Sequence, residues 1–77
     1  MPVKAYIMVT VEPGATQQVV AALRKVRHAT EVNEVLGPYD VVVELEPERL
    51  DDITEVLRRA VRPNPGIRNT LTCVVMR

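Results

Sequence analysis

Residues 35–43, near the middle of the chain, restrict the fold more than any other stretch. Two strand-like runs, residues 31–36 and 41–46, are separated only by Gly37-Pro38-Tyr39-Asp40. A connection this short and rich in turn residues predicts a β-hairpin. One strand and one helix precede the hairpin, and one helix and one strand follow it. The element order is therefore βαββαβ.

The flanking elements follow from hydrophobic periodicity. Residues 3–11 and 67–76 alternate between apolar and other side chains in the manner of strands. Apolar residues three and four positions apart predict a helix over 15–28 and a second helix that starts at Pro47 and ends before Pro63. With right-handed crossovers, this order predicts an α+β, ferredoxin-like sandwich. Its antiparallel sheet has the strand order 4-1-3-2, with both helices on one face.

The length of 77 residues predicts one domain, residues 1–77. Chains of this size are marginally stable alone and are usually reinforced by disulfides, a metal or oligomerisation. Cys73 is the only cysteine, so an internal disulfide is excluded. His28 and Cys73 lie far apart, and there is no glycine-rich phosphate loop, so we expect no metal site and no cofactor. Oligomerisation is the reinforcement that remains.

The charge balance limits the classes of partner. Ten basic and ten acidic residues cancel, which argues against a free-standing nucleic-acid binder. No apolar run reaches the ~18 residues of a membrane helix, and the N-terminus lacks the form of a signal peptide. We therefore expect a cytoplasmic protein with no direct contact with nucleic acid or membrane.

The predicted strands carry apolar residues on both faces, although two helices can cover only one. The face expected to meet the helices consists of Ile7, Val9, Val43, Leu71, Cys73 and Val75. The opposite face would leave an apolar patch too large to remain in water comfortably. This patch predicts a dimer joined sheet to sheet. The predicted dimer interface consists of Tyr6, Met8, Val42, Val74 and Met76.

The chain shows no signal for catalysis. Cys73 is expected in the middle of a strand on the helix-facing side, where a thiol behaves as a small hydrophobic group. His28 is better explained as a solvated partner of a helix dipole than as a catalytic base. We therefore expect no catalytic residue and no enzymatic activity.

The connection at residues 37–40 admits two interpretations. In a plain turn, Gly37 supplies an unusual backbone angle, Pro38 fixes φ, and Asp40 bonds its own backbone. A turn does not explain Tyr39, which is one of two aromatic residues in the chain and lies at the hairpin tip. From the residues alone, a turn and a binding loop remain equally open.

A series of short motifs extends along nearly the whole chain. They are Pro13-Gly14, Val19, Leu23, Gly37-x-Tyr39-Asp40-Val41-Val42 and Gly66-Ile67-x-x-Thr70-x-Thr72. Together they resemble the Lrp/AsnC ligand-binding domain, also called the RAM module. Members of this family are usually transcription regulators with an N-terminal helix-turn-helix. Because this chain begins at the first strand, the resemblance implies a stand-alone RAM module. Such a module would sense an amino acid or modulate a helix-turn-helix-bearing Lrp/AsnC regulator.

The resemblance also implies an assembly and a site. Such domains dimerise through their sheets, and the dimers form larger rings, commonly octamers, with amino-acid effectors in the clefts between dimers. Carried over by motif, the effector residues are Gly37, Pro38, Tyr39 and Asp40, with Thr70 and Thr72 as weaker candidates. The extra proline in residues 63–66 and the small Cys73 depart from the family pattern. The identity of the effector is therefore not inherited.

Two other functions share this topology. Small ferredoxin-like dimers also serve as cofactor-free monooxygenases or isomerases, which need a polar cavity that often contains histidine. An ACT-like regulatory domain also binds amino acids, but it normally accompanies a catalytic domain. His28 is poorly placed for the enzyme, and no catalytic domain is visible in the sequence.

Overall fold

The fold is organised around one four-stranded antiparallel sheet. The computed structural model describes residues 2–76. Its strands are β1 (Ala5–Val11), β2 (Ala29–Glu34), β3 (Val41–Leu45) and β4 (Ile67–Val74). They lie in the order β2-β3-β1-β4, so β1 and β3 are central and β2 and β4 are the edges. This order confirms the predicted ferredoxin-like sheet.

The first helix is shorter than predicted. Helix α1 spans Thr16–Leu23, and the chain then turns through residues 24–28 before β2. The amides of Lys25 and Val26 donate to carbonyls three residues earlier, at 3.2 and 3.1 Å, so the last turn is tightened. His28 has a left-handed φ of 74°, a conformation that stops a helix. As a result, β2 begins at Ala29, two residues earlier than predicted.

The second helix starts later than predicted and changes its period. Pro47 precedes the helix and is buried, with its carbonyl accepting the Val3 amide at 2.7 Å. Helix α2 spans Leu50–Val56 and continues as a π-helical turn over Leu57–Val61. The wider π turn brings residues five positions apart to one face. Val56 at the end of α2 and Val61 at the end of the π turn are therefore both buried, together with Ile53 of α2. Leu50, the first residue of α2, is exposed.

The hydrophobic core lies between the sheet and the helices. It contains no aromatic side chain, and its largest fully buried members are leucine, isoleucine and valine. The central strands contribute Ile7, Val9, Val41, Val43 and Leu45, and α1 contributes Val19 and Leu23. One side of the sheet is thereby fixed as the helix-facing side, and the other side is called the open face below.

A β-bulge reverses the predicted orientation of β4. Val11 pairs with Ile67 and Thr10 pairs with Asn69, so Arg68 is an extra residue in the strand. One extra residue moves every later side chain to the opposite face of a sheet. The alternation that was extended from Ile67 is therefore wrong beyond Arg68.

This reversal corrects both predicted faces. Cys73 pairs with Tyr6, and Leu71 pairs with Met8, so both lie on the open face and not against the helices. Val74 pairs with Ala5 and lies on the helix-facing side, so its predicted place in the open-face patch is wrong. Met76 lies beyond the end of β4 and is 89% exposed. The corrected open face includes Tyr6, Met8, Val42, Leu71 and Cys73.

We predict that Gly66→Ala destabilises the fold, because Gly66 carries the chain past α1 at close range. A Cβ here would lie 2.7 Å from Gln18 Oε1, 2.8 Å from Val19 Cγ2 and 3.0 Å from Ala15 Cβ. Since Val19 is buried and has little room to move, the free energy of unfolding in urea should fall by about 1–3 kcal/mol. Gly37→Ala is the control, because no atom lies within 4 Å of the added Cβ. Equal losses in the two variants would contradict the prediction.

Candidate functional site

The predicted effector loop is attached to two strands at one end of the sheet. The Val35 amide donates to the Asp40 carbonyl at 2.9 Å, which closes the loop at its base. The Asp40 amide donates to the Val9 carbonyl at 2.9 Å, which ties the loop to β1. Between these anchors, Leu36 is fully exposed and Tyr39 is half-buried. The loop is thus an exposed tip on a fixed base.

The Asp40 side chain strengthens this base. Its Oδ2 atom accepts a hydrogen bond from the Val11 amide at 2.9 Å. The pairing between β1 and β3 ends at Val9 and Val41, so the carboxylate extends the attachment beyond the ladder. The turn interpretation predicted a hydrogen bond between the Asp40 side chain and its own backbone. In the structure, the side chain instead bonds Val11 of β1, which lies 29 residues earlier in the chain.

Gly37 is not explained by the local backbone. Among residues 2–76, the glycine with a positive φ is Gly14, at 80°. A Cβ on Gly37 would have no atom within 4 Å. The expectation that Gly37 supplies an unusual backbone angle is therefore wrong, and the space beside it is open in the single chain.

Thr70 and Thr72 lie on the helix-facing side of the edge strand β4. Thr70 pairs with Val9 and Thr72 with Ile7, and Thr72 is half-buried while Thr70 is exposed. Val9 also pairs with Val41, the residue that follows the loop. Two strand spacings therefore separate Thr70 from the end of the loop, about 10 Å. The structure brings the two groups of predicted residues to the same part of the sheet but not into one compact pocket.

The open face combines an apolar centre with a charged edge. Tyr6, Met8 and Val42 are half-buried there, and Leu71 is 47% exposed. At one end, Lys4 Nζ lies 3.6 Å from Glu44 Oε2 and 3.9 Å from Glu46 Oε1.

A hydroxyl group also contacts this charged edge. The Thr30 hydroxyl donates to Glu44 Oε1 at 2.7 Å. This hydrogen bond lowers the pKa of Glu44, and Lys4 lowers it further, although desolvation opposes both. In turn, the Glu44 carboxylate raises the pKa of Lys4. The pair therefore stays charged over a wider range of pH than either group would alone.

A cavity that sequence reasoning missed lies between the α1–β2 turn and α2, and is called the helix-side cavity below. It has a volume of about 300 Å³. Its walls are residues 26–28 of the turn and Asp52, Glu55, Val56, Arg59 and Ala60 of the helical segment. In the sequence, His28 was interpreted only as a solvated partner of a helix dipole. The convergence of the two walls was not visible because they are separated by β2 and β3.

Residues 2–76 contain neither a cluster of metal-binding side chains nor a membrane-spanning helix. Within this range, no group of three or more histidine, cysteine, aspartate or glutamate side chains is arranged to hold a metal ion. None of the helices in the same range has the length and apolar character needed to cross a membrane.

The family model described as the Lrp/AsnC ligand binding domain matches residues 4–77. The chain belongs to this family. The predicted resemblance is thus confirmed over nearly the whole sequence. The HTH-type transcriptional regulator FL11 from Pyrococcus horikoshii is 30% identical over 73 residues, which cover 95% of this chain and 48% of the regulator. The chain therefore spans about half the length of the curated relatives it matches.

Solved structures of other proteins share the fold. FFRP-DM1 superposes with a TM-score of 0.89 at 27% identity, covering 96% of this chain and 99% of that chain. The transcriptional regulator NMB0573 from Neisseria meningitidis, solved as a complex with L-Met, has a TM-score of 0.85 at 13% identity. That match covers 97% of this chain and 50% of the regulator. These matches confirm the α+β architecture of the domain.

We predict that the Thr30–Glu44 hydrogen bond stabilises this Lrp/AsnC domain at neutral pH but not in acid. Because the pKa of Glu44 is lowered on folding, its contribution is present above the ordinary carboxyl value of 4.5 and is lost as the pH falls below it. Thr30→Val should therefore lower the melting temperature at pH 7, and this deficit should shrink as the pH falls from 4.5 towards 3. Thr54→Val, on the exposed side of α2, is the control. A deficit of constant size across this pH range would contradict the prediction.

Proposed function

We propose that this domain is a non-enzymatic regulatory module that binds an amino acid and acts as an oligomer. The observation that carries the proposal is the match to a ligand-binding family over residues 4–77. Relatives that are transcriptional regulators, one of them in complex with L-Met, support an amino-acid effector and an intracellular role. They favour this function over the monooxygenase, isomerase and ACT-like alternatives.

The effector site is proposed at the 37–40 loop, where the single chain leaves space. An amino acid brings an ammonium group and a carboxylate, and both need partners once they are desolvated. Asp40 Oδ2 is engaged by the Val11 amide, so the ammonium group would meet the other carboxylate oxygen. Backbone amides around Gly37 and Tyr39 would receive the ligand carboxylate, whereas Pro38 has no N–H to offer.

A second dimer completes the proposed cleft. The Tyr39 ring would form one apolar wall, and Thr70 and Thr72 remain weaker candidates on the neighbouring edge strand. Because Thr70 is about 10 Å from the loop at strand spacing, contributions from both groups fit a cleft between subunits better than a pocket within one chain. Assembly of dimers into a ring, or co-assembly with a helix-turn-helix-bearing regulator, would bring such walls together.

We predict that Asp40→Asn weakens amino-acid binding about ten- to a hundredfold, because a charge-assisted hydrogen bond is worth about 1.5–3 kcal/mol. Asparagine keeps an acceptor for the Val11 amide, whereas Asp40→Ala would also remove this side-chain hydrogen bond between the loop and β1. Asp51→Asn is the matched control, since it removes an exposed carboxylate whose partner among residues 2–76 is Arg49. Titration calorimetry with L-methionine and then the other amino acids supplies the measurement.

Two results would contradict this site. Equal affinities of the wild type and Asp40→Asn would move the effector away from the loop. If no amino acid bound the wild type at millimolar concentration, the sensing function itself would be wrong.

A second copy of the chain is proposed to cover the open face, and we predict that Met8→Glu splits this dimer. The substitution would bury a charge without a partner in the apolar centre. Val74→Glu is the matched control, because the bulge places Val74 on the helix-facing side, where it is 39% exposed. Sedimentation velocity should show monomers for the first variant and the wild-type assembly for the second. Dissociation by Val74→Glu alone would contradict the interface.

A further inference from the structure

We propose that the helix-side cavity is a second small-molecule site, distinct from the 37–40 loop, and that it binds a zwitterion with a short apolar side chain. The cavity lies on the side of the molecule that carries the helices, away from the open face. Its volume of about 300 Å³ is at the lower end of the range typical of small-molecule sites. The proposal is independent of the effector loop.

The charges on the two walls are separated and opposite. Arg27 lies on the α1–β2 turn and Asp52 on the first turn of α2. Their charged atoms are more than 4.0 Å apart, and neither side chain forms an ion pair or a hydrogen bond with any other residue from 2 to 76. A ligand carboxylate at Arg27 and a ligand ammonium at Asp52 would give both groups a charge-assisted partner.

The remaining charges on the walls are already paired. Glu55 Oε1 accepts a hydrogen bond from Arg58 at 3.0 Å, and Glu55 Oε2 lies 2.9 Å from Arg59 Nε in an ion pair. A simple anion in the cavity would face the carboxylates of Asp52 and Glu55, and a simple cation would face the guanidinium groups of Arg27 and Arg59. A ligand that carries both charges avoids either repulsion, which favours the zwitterion.

Between the charged walls, the lining is apolar. Val56 is buried, and Val26 and Ala60 are half-buried beside it. Contact with these three small side chains suits a short aliphatic or thioether group. The lining therefore selects among zwitterions by the character of their side chains.

Two departures from regular backbone shape the cavity. The π-helical turn carries Arg59 and Ala60 on one wall. On the other wall, His28 adopts a left-handed φ of 74°, held by the Glu46 amide, which donates to its carbonyl at 3.0 Å. Both features occur preferentially at functional sites. Here they accompany the unpaired charges and the apolar lining of the same cavity.

The test is an NMR titration of the ¹⁵N-labelled protein with L-methionine, followed residue by residue. We expect the amide signals of residues 26–28 and 52–60 to shift with a binding curve of their own. Shifts at 37–40 report the effector loop separately, so failure at one site is distinguishable from failure at the other. N-acetyl-L-methionine and L-methioninamide each lack one charge, and should bind the cavity at least about tenfold more weakly.

Substitutions test whether Arg27 and Asp52 are the charged side chains that hold the ligand. Arg27→Gln and Asp52→Asn should each weaken the cavity signal at least about tenfold. Arg24→Gln and Asp51→Asn remove neighbouring exposed charges that do not line the cavity and should leave it unchanged. The proposal is overturned if the amide signals of residues 26–28 and 52–60 do not shift at millimolar L-methionine. It is also overturned if the singly charged probes bind as well as the zwitterion. The third contrary result is that Arg27→Gln and Asp52→Asn bind L-methionine like the wild type.

Discussion

Hydrogen bonding to both edges of β1 fixes the positions of the 37–40 loop and of the open face. On one side β1 pairs with β3 and receives the 37–40 loop through the amide and carboxylate of Asp40. On the other side it pairs with β4, whose bulge at Arg68 decides which residues of that strand reach the open face. A change in either register would alter the loop, the open face and the core together, because the side-chain period of a strand is two.

The order of the elements could be predicted because it depends on local patterns. Alternation, helical spacing and the position of Gly37-Pro38 determine strand, helix and hairpin without knowledge of the partners. The orientation of β4 could not be predicted in this way. The bulge is a property of the pairing between Thr10, Val11 and Ile67, and these residues meet only after the chain has folded. A single extra residue then exchanged the places of Cys73 and Val74.

The candidate sites show the same division between local and long-range information. The loop was located from its composition and from the family resemblance, but the structural role of Asp40 required its contact with Val11, 29 positions earlier. The helix-side cavity depends on a left-handed residue at His28 and on a π turn, and neither has a reliable signature in a single sequence. The convergence of Arg27 and Asp52 on one cavity could therefore not be predicted from the sequence.

The placement of the two tyrosines has an optical consequence. The chain contains two tyrosines and no tryptophan, so its near-ultraviolet emission comes from Tyr6 and Tyr39. Tyr6 lies on the open face, and Tyr39 lies in the loop at the end of the sheet. One chromophore thus reports on each proposed surface without any label. Replacing either ring with leucine would leave a spectrum that follows subunit contact or loop occupancy alone.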